Sequence, residues 1–128
     1  MTIRIVRLGT ARAPGEGTRL GTVRRPPRAV PKAEFARRDY YDVWYPLLAP
    51  SAELMKTAFA AETDKHWAAF FRKYRAEMNS PAASQSLDVL AALSRQGDFS
   101  MGCYCEDEQH CHRSQLRALL LERGAKVE

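Results

Sequence analysis

Between Thr63 and Met78 the residues Trp67, Phe70, Phe71, Tyr74 and Met78 fall at i, i+3, i+4, i+7 and i+11, the spacing of a helix with one apolar face. The opposite face carries Lys65, Arg72, Lys73 and Arg75. An isolated helix of this length is marginal in water, so its stripe must pack on something apolar. We read the stripe as core, not as an aromatic binding platform. The start of the chain offers a surface to pack on. Residues 2–8, TIRIVRL, alternate, with Ile3 and Ile5 on one side and Arg4, Val6 and Leu8 on the other, and their β-branched content favours a strand.

Further elements follow from local chemistry. Gly9 to Gly17 is a loop, and residues 18–24 read as a second strand interrupted at Gly21. Arg25-Pro26-Pro27-Arg28 cannot continue a central strand, because proline lacks the ladder donor. Residues 39–50 combine Tyr40, Tyr41, Trp44 and Tyr45 with Pro46 and Pro50, which predicts a packed irregular segment. Ser51 starts a helix to about Ala60, and Thr63 or Asp64 caps the striped helix. Ser80-Pro81 opens a third helix, expected to reach Gln96 and stop at Gly97. Residues 99–105 read as a buried strand, Ser114 to Arg123 as the last helix, and residues 125–127 as a short terminal strand. That order predicts a single α/β domain over residues 1–128: a small, mostly parallel sheet with helices on both faces, layered like a Rossmann fold.

The chain has 128 residues, enough for one core without covalent staples. No apolar stretch approaches the roughly 20 residues of a membrane span. The N-terminus has no secretory apolar region, so the expected compartment is the cytoplasm. Three cysteines, Cys103, Cys105 and Cys111, form an odd, clustered set, which suits a reducing compartment better than a disulfide framework.

These cysteines lie in the run that concentrates the chemistry, from Gly102 to Arg113, where a strand should end, a polar loop follow and a helix begin. In open α/β sheets this edge is where ligands bind. A helix N-terminus there favours an anion, and Arg113 adds a guanidinium fork. The candidate anion-binding set is Arg113, His112 and Ser114, with Arg24 and Arg28 closing the pocket from the basic loop. The same field would favour a thiolate at Cys111, the candidate nucleophile, with Glu106 as the acid or base. A second reading is a metal or thiol redox module built from Cys103, Cys105, Cys111 and either His110 or His112, although C-x-C-x5-C-H is no standard zinc-finger spacing.

The net charge is +5, and Arg19, Arg24, Arg25 and Arg28 surround the Pro-Pro turn. This favours anionic partners: a phosphate-bearing small molecule or a nucleic acid. No membrane partner is expected, and the residues leave the identity of any cofactor open. A third reading is a non-catalytic partner-binding domain or homodimer, with Tyr40, Tyr41, Trp44 and Tyr45 as its contact patch.

The run Cys103-Tyr104-Cys105-Glu106-Asp107-Glu108-Gln109-His110-Cys111-His112-Arg113, opening a leucine-rich helix, resembles the family catalogued as domain of unknown function 488. Thr18 to Arg28 is similar to that family's arginine- and proline-bearing second strand and loop. Leu48-Ala49-Pro50-Ser51 with Glu53-Leu54 resembles its Leu-Ala-Pro-Ser motif, and the Trp67, Phe70, Tyr74 spacing also fits. The resemblance implies an α/β architecture with its site at the Cys-His-Arg turn, and it brings no established activity.

Overall fold

In the computed structural model, which describes residues 1–128, the alternating N-terminal segment forms β1 (Ile3–Arg7). It lies beside β4 (Phe99–Cys103), which in turn pairs with β2 (Thr18–Gly21). A two-residue strand, β3 (Val43–Trp44), completes an all-parallel sheet in the order β1-β4-β2-β3. The sequence signal missed β3, because two residues carry no periodicity. Its place is set by long-range backbone bonds, from Asp42 N–H to the Arg19 carbonyl and from Tyr45 N–H to the Gly21 carbonyl, each 2.8 Å.

Four α-helices follow: α1 (Ala52–Phe59), α2 (Asp64–Met78), α3 (Pro81–Leu93) and α4 (His112–Glu122). The first three begin as their sequences predict. Ser51, Thr63 and Ser80 each accept a backbone N–H from the first turn, satisfying a donor that has no partner inside the helix. α3 ends at Leu93, short of the expected Gln96. Ser94 there is fully buried; its hydroxyl donates to the Ala91 carbonyl and accepts Lys126 N–H, which ties the helix end to the C-terminal segment. That segment contributes one parallel bridge, Ile3 to Val127, in place of a full strand.

The α2 stripe is core, as its spacing implies. Phe70, Tyr74 and Met78 join Leu54, Leu87, Leu90, Leu116, Leu119 and Leu120 against Ile3 and Met101 in one buried cluster. The helices thus cover one face of the sheet. The other face is closed by irregular segments and a short 3-10 turn at Lys32–Glu34. Tyr41 lies directly over Gly21, so closely that a Cβ there would meet its ring at 2.3 Å. Of the aromatic residues considered as a contact patch, Tyr41 is buried and Tyr45 donates to the Ser86 hydroxyl. Trp44 donates to the Val23 carbonyl yet keeps 44% of its surface exposed.

Under this second cover sits a buried ion pair. Arg19 is 0% and Glu16 4% exposed. Arg19 makes two bonds to the Glu16 carboxylate, at 2.7 and 3.0 Å, and donates to the Thr10 and Asp39 carbonyls. Glu16 also accepts from the Ser100 hydroxyl and from Ala13 N–H. Burial alone would raise the Glu16 pKa, but the bonds from Arg19, Ser100 and Ala13 together lower it to about 2. With four of its five guanidinium N–H donors engaged inside the fold, Arg19 is a structural arginine.

Removing one partner from such a pair leaves a buried, unmatched charge. Glu16→Ala should therefore destabilise the fold by about 3–5 kcal/mol in urea unfolding. Because the folded pKa lies below the ordinary value, this contribution is complete above about pH 4.5 and is lost as the pH falls toward about 2. Glu16→Ala should accordingly flatten the acid limb of the stability profile.

Candidate functional site

β4 is the central donor of the site. It is paired on both sides, with Gly102 opposite Val6 and Gly21, so its end at Cys103 is held firmly at the carboxyl edge of the sheet. The chain then passes through bends at Tyr104 and Glu106 and a 3-10 turn at Glu108–His110 before entering α4. The helix begins at His112, two residues earlier than expected from Ser114, so Cys111 is its N-cap and His112 and Arg113 lie in its first turn. That early start folds the C-terminal cysteine back over the strand end.

Three thiols and one imidazole meet there. Cys103 Sγ lies 3.7 Å from Cys105 Sγ, and Cys111 Sγ lies 3.7 Å from His112 Nδ1. The ligand atoms of Cys103, Cys111 and His112 are all within 4.8 Å of one another. Those three residues are 5%, 2% and 3% exposed, whereas Cys105 faces solvent. Leu8, Val23 and Tyr41 wall the two buried thiols with apolar surface.

The orientation of His112 is set by residues far away in sequence. Its Nε2 lies 2.8 Å from the Thr22 carbonyl, which can only accept. Nε2 therefore carries the hydrogen, and in the neutral ring Nδ1 turns its lone pair toward the cysteines. The Tyr74 ring packs at 5.4 Å from the imidazole, and its hydroxyl donates to the Leu48 carbonyl at 2.7 Å. Thr22 and Tyr74 are the residues that sequence reasoning missed. Thr22 acts through its backbone, which no side-chain pattern can signal, and Tyr74 is indistinguishable from the rest of the apolar stripe.

The thiols differ in acidity. Hydrogen bonding to Cys105 and Cys111, with burial, pushes Cys103 up, so it keeps its proton. Hydrogen bonds from Cys103 and Cys111, with the Arg113 charge behind them, lower Cys105 to about 3. Cys111 is also lowered, chiefly by Cys103. Of the three, the exposed Cys105 is thus the most acidic and the buried Cys103 the least.

The other expected site residues lie as follows. Arg113 is 3% exposed, its Nη2 donates to the Cys105 carbonyl at 2.6 Å, and its Nε is buried without a partner. Arg24 donates to the Pro46, Ala49 and Pro50 carbonyls, so its guanidinium is occupied by backbone. Arg28 is exposed. Ser114 donates its hydroxyl to the Cys111 carbonyl at 3.0 Å. Glu106 is exposed and pairs with Arg7 at 3.6 Å, away from the thiols. His110 pairs with Asp107 at 3.4 Å and stacks on Trp67 at 4.9 Å, so His112 and not His110 is the imidazole that joins the cysteines. Two surface cavities, of about 400 and 360 Å³, are lined by neither the cysteines nor Arg113.

Exposure and acidity together predict the order of thiol reactivity. Brief treatment of the folded protein with iodoacetamide should modify Cys105 alone, and unfolding should release Cys103 and Cys111. Peptide mapping checks this; equal native labelling of Cys111 would show that its burial is not maintained.

Comparison with known proteins adds one finding. No curated protein and no solved structure matches the chain. Residues 3–124 match the family described as DUF488-N3a, the active DUF488-N3 subclade. The match spans the sheet, the helices and the whole thiol cluster, and by it the chain belongs to the domain-of-unknown-function-488 family.

Proposed function

We propose that this domain is a thiolate–imidazole metal protein, with Cys103, Cys111 and His112 as the buried ligands of one zinc-type ion and Cys105 as the fourth. The observation that carries this reading is the spacing of the donor atoms. Around tetrahedral zinc, with Zn–S near 2.3 Å and Zn–N near 2.0–2.1 Å, neighbouring sulfurs stand about 3.8 Å apart and sulfur and nitrogen about 3.6 Å. The Cys103–Cys105 and Cys111–His112 separations, both 3.7 Å, fall on those edges. The donor chemistry agrees, since soft thiolates with an imidazole select zinc, copper or iron over calcium and magnesium. The Thr22 carbonyl behind His112 matches the outer hydrogen bond that fixes a metal-bound histidine.

Such an ion, when bound, would tie the end of β4 to the start of α4 through four protein ligands. Cys105 forms the corner that solvent reaches, because the other three ligands are sealed in the interior. Arg113 holds the Cys105 backbone in place and sets a positive charge beside the anionic thiols. The alternative reading, an anion held by Arg113, Arg24 and Arg28, has weaker support: Arg24 donates three of its N–H groups to backbone carbonyls and Arg28 is exposed. Its one support is the unpartnered Arg113 Nε.

Elemental analysis of protein purified without an affinity tag tests the proposal. One equivalent of zinc or iron per chain is expected, falling to background in Cys111→Ser and accompanied by a lower unfolding temperature. Protein that is metal-free as purified, and takes up neither zinc nor cobalt when they are added under reducing conditions, overturns it.

A further inference from the structure

We infer that Cys103 and Cys105 form a peroxide-sensitive pair, with Cys105 the thiol attacked first and Cys103 the thiol that closes the disulfide. Two geometric observations carry this. The sulfurs are already in contact at 3.7 Å, and the two residues differ sharply in access: Cys103 is 5% exposed, while Cys105 is open to solvent. An exposed thiol backed by a buried partner is the arrangement of redox-sensing cysteines. Cys103 is the better partner because the strand register holds it in place, opposite Arg7. Cys105 lies beyond the strand end, where its side chain can turn toward Cys103. Cys111 also lies within 4.8 Å of the Cys103 sulfur, but it is buried and its sulfur stands against His112 Nδ1 at 3.7 Å, so a peroxide arriving from solvent meets Cys105 first.

The chemistry balances with hydrogen peroxide as the oxidant. The Cys105 sulfur attacks one peroxide oxygen, the O–O bond breaks, and the departing hydroxide takes up a proton and leaves as water. Cys105 is then a sulfenic acid. The Cys103 sulfur attacks the Cys105 sulfur, an S–S bond forms, and the sulfenic oxygen leaves as a second water carrying the Cys103 proton. The two thiols lose two electrons, and peroxide gains them.

Disulfide formation rests on the thiol geometry alone. Its consequence rests on the metal reading: an ion held by the four residues would lose two ligands at once and be released. The centre would then report peroxide by ejecting its metal.

The test uses the untagged protein as purified, treated with about one equivalent of hydrogen peroxide, quenched with an alkylating agent in denaturant and analysed by mass spectrometry. The expected product is lighter by two hydrogen atoms, carries a Cys103–Cys105 link and a single alkylated thiol at Cys111, and reverts with dithiothreitol. Bound metal should leave the protein in step with the link. Cys105→Ser, a change at an exposed position, should abolish the product, and a sulfenic-acid trap should label Cys105 in the wild type during the reaction. A link involving Cys111, or direct conversion of Cys105 to sulfinic acid with Cys103 still free, overturns the inference. Metal-free protein that still forms the Cys103–Cys105 link sinks the metal reading and spares this one. Metal-loaded protein that forms no link does the reverse.

Discussion

β4 is hydrogen-bonded on both sides by parallel partners, and this double pairing is the constraint from which the carboxyl edge takes its shape. A strand held this way cannot slip, since a one-residue shift would turn Met101 out of the core and Ser100 into it. The register that buries Met101 also puts Cys103 at the strand end, on the side where Cys111 returns. The thiol cluster is thus a consequence of strand pairing as much as of the cysteines' own chemistry. β1 and β2 contribute in a second way. Leu8, Val23 and the Thr22 carbonyl all lie just beyond their strand ends, so the same edge supplies both the apolar walls and the bond that orients His112.

The two faces of the sheet are stabilised by different physics. On the helical face apolar burial dominates, with α2, α3 and α4 each adding a row of large side chains to one cluster. On the other face there are no α-helices, and Arg19, Glu16 and Ser100 form a buried polar network instead. A buried pair of this kind is weak as a source of net stability, but it is intolerant of partial removal. It also explains why an arginine-rich N-terminal region need not be a binding surface. Arg19 and Arg24 are both committed to internal bonds, and the basic character that remains belongs to exposed residues such as Arg28, Arg37 and Arg38.

At the site, the charges are arranged oppositely to a phosphate pocket. The acidic thiols are the exposed Cys105 and the buried Cys111, while Cys103 keeps its proton, and the Arg113 guanidinium binds the Cys105 carbonyl. Cys103, Cys111 and His112 bring their ligand atoms within 4.8 Å of one another, and the exposure of Cys105 gives solvent oxidants a point of entry.

Much of this architecture is legible along the chain. The α2 stripe, the hydroxyl caps at Ser51, Thr63 and Ser80, the alternation of β1 and the strand-to-helix position of the Cys-His-Arg run are local features. Spacing of 3.6 or 2 residues and short side-chain-to-backbone bonds express themselves without help from the rest of the fold. By contrast, β3 has no periodicity of its own, the end of α3 depends on Lys126, and the choice of His112 over His110 depends on a carbonyl 90 residues away. The fate of the arginines was equally hidden, because a guanidinium has the same sequence signature whether it faces solvent, a ligand or three backbone carbonyls. The sequence by itself therefore determined the helices, the sheet-forming segments and the neighbourhood of the chemistry. Only the tertiary structure decided which side chains share that neighbourhood, because proximity between distant segments is set by strand register and packing, which no local pattern encodes.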